Sequence, residues 1–204
     1  MALRAIFFDF DGVLVDSEPL HWETWAEVLR PEGIVLGFEE YCRRFIGVSS
    51  REMMRMLWQE DGRPFDQDLF QTWYARKRAL YAARELRVPD DVAQFIRSQL
   101  GGYRLGVVSS SRRSEVEPYL ERSGIRERME VLVCAEDAAE LKPSPAPYRR
   151  AAELAGLPPE DCLAVEDSEA GVASATGAGM DAVRVAGPGS VVASVSDKIY
   201  YVKY

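Results

Sequence analysis

Cysteine is scarce in this chain: Cys42, Cys134 and Cys162 are the three among 204 residues. Widely separated and odd in number, they have neither the paired spacing of a zinc site nor the parity of a disulfide framework. They read as free thiols, small buried side chains in a reducing compartment. No apolar run approaches the ~18 residues that would suggest a membrane span. Basic charge is also in deficit. Lys and Arg number 25 against 33 Asp and Glu, for a formal net charge of -8, which argues against nucleic-acid and membrane partners, since both select a basic footprint. Internal repeats and low-complexity tracts are missing. The apolar stretch before Asp9 is too short for a signal peptide, so a cytoplasmic location is expected. What is present, 47% apolar and 28% charged residues, is the composition of a soluble globular enzyme.

Short apolar runs rich in branched and aromatic residues punctuate the chain. Leu3 to Phe8 is the first, and Tyr103 to Val108, Val131 to Val133, Cys162 to Val165, Ala182 to Val185 and Ile199 to Val202 follow. Each reads as a buried strand. Amphipathic stretches such as Glu115 to Arg122 and Tyr148 to Leu154 lie between them, and this alternation predicts an α/β fold with a parallel sheet covered on both faces. Residues 17–87 interrupt the pattern. Ser17 and Pro19 signal a helix through Leu29, and Phe38 to Phe45, Arg51 to Trp58 and Asp66 to Arg84 read as three more. A four-helix cap domain over 17–87 is therefore expected, inserted into a core of residues 1–16 and 88–204. The cap should lie over the carboxyl edge of the sheet, where open α/β sheets bind ligands.

Four places carry chemistry. The first strand runs into Asp9-Phe10-Asp11-Gly12, two acids at i and i+2 where the chain leaves the sheet. Such close like charges persist mainly where a cation or a shared proton offsets their repulsion. A second strand ends in Glu166-Asp167-Ser168, with Ser168 placed to cap the next helix. Two strand ends bearing acids suggest a shared oxygen-ligand site suited to Mg²⁺. A third strand ends in Ser109-Ser110-Ser111 ahead of a helix, where hydroxyls and free N–H groups suit a phosphate oxygen. Lys142, flanked by Pro143, is the only Lys between Lys77 and Lys198; its ammonium there suits balancing the carboxylates and a transferring phosphoryl group.

Asp9-Phe10-Asp11-Gly12-Val13-Leu14-Val15-Asp16-Ser17, the hydroxyl of Ser109, Lys142-Pro143 and Glu166-Asp167-Ser168 stand in the order of the four motifs of the haloacid dehalogenase superfamily, which the chain resembles over essentially its whole length. Val165 to Gly171 and Gly177 to Met180 look like its beta-phosphoglucomutase-like subgroup. The resemblance implies a Rossmann-like core with a helical cap, Asp9 as the nucleophile forming an aspartyl-phosphate, and Asp11 as acid and then base. It implies Mg²⁺ held by Asp9, the Asp11 main-chain carbonyl and Asp167 with help from Glu166, and phosphoryl oxygens held by Ser109 and Lys142, with Ser110 beside them. True dehalogenases and phosphonate-cleaving relatives lack the second acid, so Asp11 argues against both.

The cap bears on substrate. His21, the single histidine, lies just inside the first cap helix, and by resemblance links cap closure to the acid/base residue. At ~100° per residue Leu69, Phe70, Trp73, Tyr74, Leu80 and Tyr81 form one apolar stripe with Lys77 near its centre. A charge so placed either snorkels or points into the cleft, and similar capped enzymes use such a Lys to bind the distal part of the substrate. Arg51 follows a loop, Phe45 to Ser50, that resembles the substrate-facing cap loop of mutases, displaced by one residue. That displacement favours a phosphatase over a mutase; small phosphorylated metabolites such as sugar phosphates are the expected substrates, and nothing in the sequence demands more than a monomer. A beta-phosphoglucomutase is the alternative, and a non-catalytic phospho-ligand-binding relative is disfavoured because every catalytic position is filled.

Overall fold

The computed structural model describes residues 2–46 and 48–203, the side chains of 201–203 excepted; Gly47, within the predicted substrate-facing loop, lies outside the described residues. The chain divides into two compact units, one of Met1–Asp16 with Leu86–Tyr204 and the other of Ser17–Glu85.

The first unit is built on a five-stranded, wholly parallel sheet. Its strands are β1 (Ala5–Phe8), β2 (Arg104–Val108), β3 (Val131–Val133), β4 (Cys162–Glu166) and β5 (Asp181–Arg184), in the order β3-β2-β1-β4-β5. β1 is therefore the strand at which the order reverses, pairing with β2 on one side (Phe7 opposite Gly106) and β4 on the other (Phe7 opposite Ala164). All four residues of β1 are fully buried, as expected where both faces of a sheet are covered. Ala5 and Phe7 pack with Val108, Val133 and Ala164 against α7 (Ala146–Ala155) and α8 (Glu169–Gly177). Ile6, Phe8, Leu105 and Val107, the alternate residues along the same strands, are buried on the other face.

α5 (Asp90–Ser98), α6 (Arg113–Arg122) and α9 (Val191–Lys203) complete this unit. α5 escaped the sequence reading, although Val92, Ala93, Phe95 and Ile96 give it a buried face and Asp90 and Asp91 acidify its first turn. Ile199 to Val202 does not form the predicted sixth strand; it is the last turn of α9. Val191 and Val195 are fully buried and Ile199 partly so, a spacing of four that turns one helical stripe inward. α9 packs on β5 and α5, and that burial overrides the strand propensity of an Ile-Tyr-Tyr-Val run.

The second unit contains α1 (Glu18–Leu29), α2 (Phe38–Arg44), α3 (Ser50–Glu60) and α4 (Gln67–Ala82). Its own aromatic core includes Trp25, Tyr41, Phe45, Trp58, Phe70 and Trp73. Side-chain caps set two of its helix starts. Ser49 accepts from the Glu52 N–H at 3.2 Å, and Asp66 accepts from Asp68 and Leu69 at 2.9 Å; such caps contribute about 1 kcal/mol each. No helix among the described residues is long and apolar enough to cross a membrane.

Candidate active site

The sheet ladder itself carries the acidic residues to its carboxyl edge. The Asp9 N–H donates to Val165 O at 2.9 Å, extending β1 alongside β4, and the Ser109 N–H donates to Val133 O at 2.9 Å, extending β2 alongside β3. The chain then turns sharply after β1, with Gly12 donating to Val15 O and Leu14 to Phe10 O. Gly12 has φ +76°, and a Cβ there would lie 2.1 Å from Asp167 Oδ2. Only glycine combines that backbone with so close an approach. Across the sheet, Gly171 in the first turn of α8 meets Glu166 as tightly, since a Cβ would fall 1.9 Å from Oε2. Ser168 caps α8 by accepting from the Gly171 N–H at 3.0 Å.

Carboxylate oxygens of Asp9, Glu166 and Asp167 lie within 4.8 Å of one another. Lys142 stands among them with its side chain 6% exposed. Its Nζ donates to Asp9 Oδ1 at 2.9 Å, Glu166 Oε1 at 2.6 Å and Val108 O at 2.7 Å, so all three ammonium protons are engaged. Tyr148 of α7, also fully buried, donates its hydroxyl to Glu166 Oε1 at 2.6 Å. Glu166 Oε2 is buried and has no hydrogen-bond partner among the described residues.

One ammonium does not balance these acids. Burial raises Asp9 from 3.8 to about 7; Lys142 opposes the rise, while the charges of Glu166 and Asp11 add to it. Burial, with the Asp9 charge next, lifts Asp167 to about 6. For Lys142, burial pulls downward, but Asp9 and Glu166 outweigh it and hold the ammonium above its ordinary value. Burial, reinforced by the Glu166 charge, keeps the Tyr148 hydroxyl protonated and therefore a donor. Converging hard oxygen donors, excess negative charge and a buried carboxylate oxygen without a partner fit a small divalent cation.

Asp11 meets a different partner. Its Oδ2 accepts from the Ser111 hydroxyl at 2.6 Å, and the Ser111 N–H donates to Ser109 Oγ at 2.9 Å. Ser109 is buried, whereas Ser110 is exposed. Asp9, Asp11, Ser109, Lys142, Glu166 and Asp167 are thus joined or adjacent in one cluster. Two members of it, Ser111 and Tyr148, were not singled out from the sequence.

The remaining candidates belong to the helical unit. Lys77 is 3% exposed; its Nζ lies 2.7 Å from His21 Nδ1 and 4.5 Å from the centre of the Tyr81 ring, which in turn stacks on His21. Snorkelling to solvent is excluded by that burial. Arg51 donates to Gln67 Oε1 at 2.5 Å and packs its guanidinium over the Phe65 and Phe70 rings.

The acidic cluster stands at the carboxyl edge of a Rossmann-like parallel sheet, an arrangement suited to phosphoryl transfer, and comparison with known proteins makes this particular. The family model for haloacid dehalogenase-like hydrolases matches residues 6–185. Among curated relatives, protein CbbY of Rhodobacter capsulatus is 31% identical over 90% of this chain and 85% of its own. The fructose-1-phosphate phosphatase YqaB of Escherichia coli is 28% identical over 88% of this chain and 95% of its own. A putative beta-phosphoglucomutase from Thermotoga maritima shares the fold, with a TM-score of 0.73 at 23% identity over 95% of this chain and 99% of its own. The chain belongs to the haloacid dehalogenase-like hydrolase family. It is a phosphoric monoester hydrolase or a closely related phosphomutase.

Proposed function

We propose that the chain is a Mg²⁺-dependent phosphatase of small phosphorylated metabolites, sugar phosphates foremost, working through an aspartyl-phosphate on Asp9. The observation that carries this reading is the Lys142 ammonium bonded at once to Asp9 and Glu166, with Asp167 beside them. Arranged in this way, a nucleophile, a phosphate-gripping cation and an acidic metal pocket share one edge of the sheet.

Asp9, Asp167, Glu166 and the Asp11 main-chain carbonyl would hold Mg²⁺. Such an ion, when bound, would offset their charge, keep Asp9 ionised and supply Lewis-acid polarisation of the phosphoryl oxygens. In the first half-reaction an Asp9 oxygen attacks phosphorus as the bond to the leaving oxygen breaks, and Asp11 donates a proton to that oxygen. In the second, Asp11 takes a proton from water as the water oxygen attacks phosphorus, and the Asp9–phosphorus bond breaks to release phosphate and restore both carboxyl groups. General acid–base assistance of this kind contributes roughly 10²–10⁴-fold. Ser109 presents a hydroxyl whose oxygen already accepts from the Ser111 N–H, which leaves its proton for a phosphoryl oxygen. Lys142 supplies the positive charge.

Water rather than a sugar hydroxyl is the proposed acceptor because Arg51, which a mutase would use to grip a second phosphate, is engaged by Gln67 and two aromatic rings. The relative named as a fructose-1-phosphate phosphatase supports sugar phosphates as the substrate class. Lys77 and His21 are proposed to bind the part of the substrate distal to the phosphoryl group, and the working species to be a monomer in the cytoplasm. The deciding experiment is a panel of phosphorylated metabolites with Mg²⁺, scored for free phosphate and for isomerisation of β-glucose 1-phosphate. Phosphate release that Asp9→Asn abolishes is expected; isomer without phosphate would overturn the hydrolase reading.

A further inference from the structure

Lys142 faces a conflict. Its three protons are committed to Asp9, Glu166 and Val108 O, yet gripping a phosphoryl oxygen requires one of them. The bond given up cannot be that to Glu166 without consequence, because Glu166 is fully buried and its second oxygen has no hydrogen-bond partner among the described residues. A buried carboxylate stripped of its donor is costly and free to shift. Tyr148 resolves this. Its hydroxyl reaches the same oxygen, Oε1, at 2.6 Å, and its ring lies 5.2 Å below the ammonium. The ring is anchored in the core against α8 and the sheet.

Resting on the phosphatase reading above, we propose that Tyr148 is a positioning residue: its hydroxyl holds the Glu166 carboxylate in place and compensated while Lys142 redirects a proton to the transferring phosphoryl group. The ring supports the ammonium as it turns, through a cation–π contact that survives loss of the hydroxyl. Glu166 then remains oriented toward the cation pocket that it shares with Asp9 and Asp167. Partners that hold a metal-binding side chain from behind typically change metal affinity or activity by about 10–100-fold when removed.

The test is Tyr148→Phe, which keeps the ring and deletes one donor. Calorimetric titration of the substrate-free protein with Mg²⁺ is expected to show about tenfold weaker binding, and kcat to fall by about 10–100-fold with KM little changed. Tyr148→Leu, which removes ring and hydroxyl together, should lose Mg²⁺ affinity to the same extent. A loss confined to the Leu variant would assign the effect to packing and overturn the proposal, as would an unchanged Mg²⁺ affinity and kcat in the Phe variant. In a Glu166→Gln background no carboxylate charge remains to be held, so Tyr148→Phe should weaken Mg²⁺ binding no further; independent, additive losses overturn the proposal. Should Tyr148→Phe alone fail to fold, the double variant with Glu166→Gln is expected to restore folding, and failure of both counts against it. Asp9→Asn run alongside separates the two readings. Phosphate release surviving in that variant sinks the nucleophile assignment, whereas its loss together with an unaffected Tyr148→Phe sinks only the role of Tyr148.

Discussion

Replacing Asp9 with Asn should destroy turnover and at the same time stabilise the metal-free protein at alkaline pH. Burial, with Glu166 and Asp11 adding to it, lifts the Asp9 carboxyl from 3.8 to about 7 against the pull of Lys142. The folded protein therefore holds this proton more tightly than the unfolded chain does. The stability so gained is fully present below about pH 4 and is lost as pH rises through about 7. At ~1.36 kcal/mol per pH unit, the rise from 3.8 to about 7 is worth on the order of 4 kcal/mol. Asn has no proton to lose, so that part of the slope should vanish. Its amide oxygen still accepts from Lys142, but its NH₂ group needs a new partner, which returns roughly 1–3 kcal/mol of the gain. The remainder raises the melting temperature by on the order of 5 °C at ~2–4 °C per kcal/mol. Melting curves in chelator from about pH 5 to about pH 8 would measure it. The Asn variant should melt above wild type at the alkaline end and converge with it at the acid end. Asp167, raised to about 6, leaves a residual slope of the same sign in both proteins. Excess Mg²⁺ should narrow or reverse the difference, because only wild type keeps the full ligand set. An Asn variant that melts no higher than wild type at about pH 8 without metal would refute the claim that burial and like charges strain this carboxyl.

Ser111→Ala removes the 2.6 Å bond to Asp11. Hydrogen bonds to charged groups are worth ~1.5–3 kcal/mol, so kcat should fall roughly 10–100-fold while KM stays nearly constant, as steady-state kinetics would read. Gly171→Ala drives a methyl group into Glu166 Oε2, and should abolish both phosphate release and the Mg²⁺-induced rise in melting temperature. Retained activity would mean that Glu166 is dispensable. Cys134 and Cys162 are buried, with burial raising their thiols to about 12 and about 11, whereas Cys42 is partly exposed. A colorimetric thiol reagent near neutral pH should label Cys42 quickly and the other two only on unfolding; three fast thiols would contradict the packing.

Where the sequence could be read, the signal was local. An apolar run that ends abruptly in acids, as at Phe8-Asp9 and Val165-Glu166, marks a buried strand reaching the ligand-binding edge, because nothing else places carboxylates directly against fully buried neighbours. The Lys77 stripe was legible for the same reason, since helical period alone fixes which residues share a face. Ile199 to Val202 misled because propensity in a short window speaks only for itself; the inward stripe begins eight residues earlier, at Val191, and is visible only when the whole helix is projected. Ser111 and Tyr148 were harder. Ser111 acts on a residue 100 positions away, and nothing in a run of three serines distinguishes the one that reaches Asp11 from the one left in solvent. Tyr148 read as an ordinary member of an amphipathic helix face, which it also is. Its hydroxyl matters because α7 packs on the sheet with its first turn level with the end of β4, bringing a phenol within 2.6 Å of Glu166. That distance follows from how a helix packs on a strand, and spacing along the chain carries no record of it. Chemistry held by one strand end is thus written in sequence, while chemistry shared between packed elements has to be found in the fold.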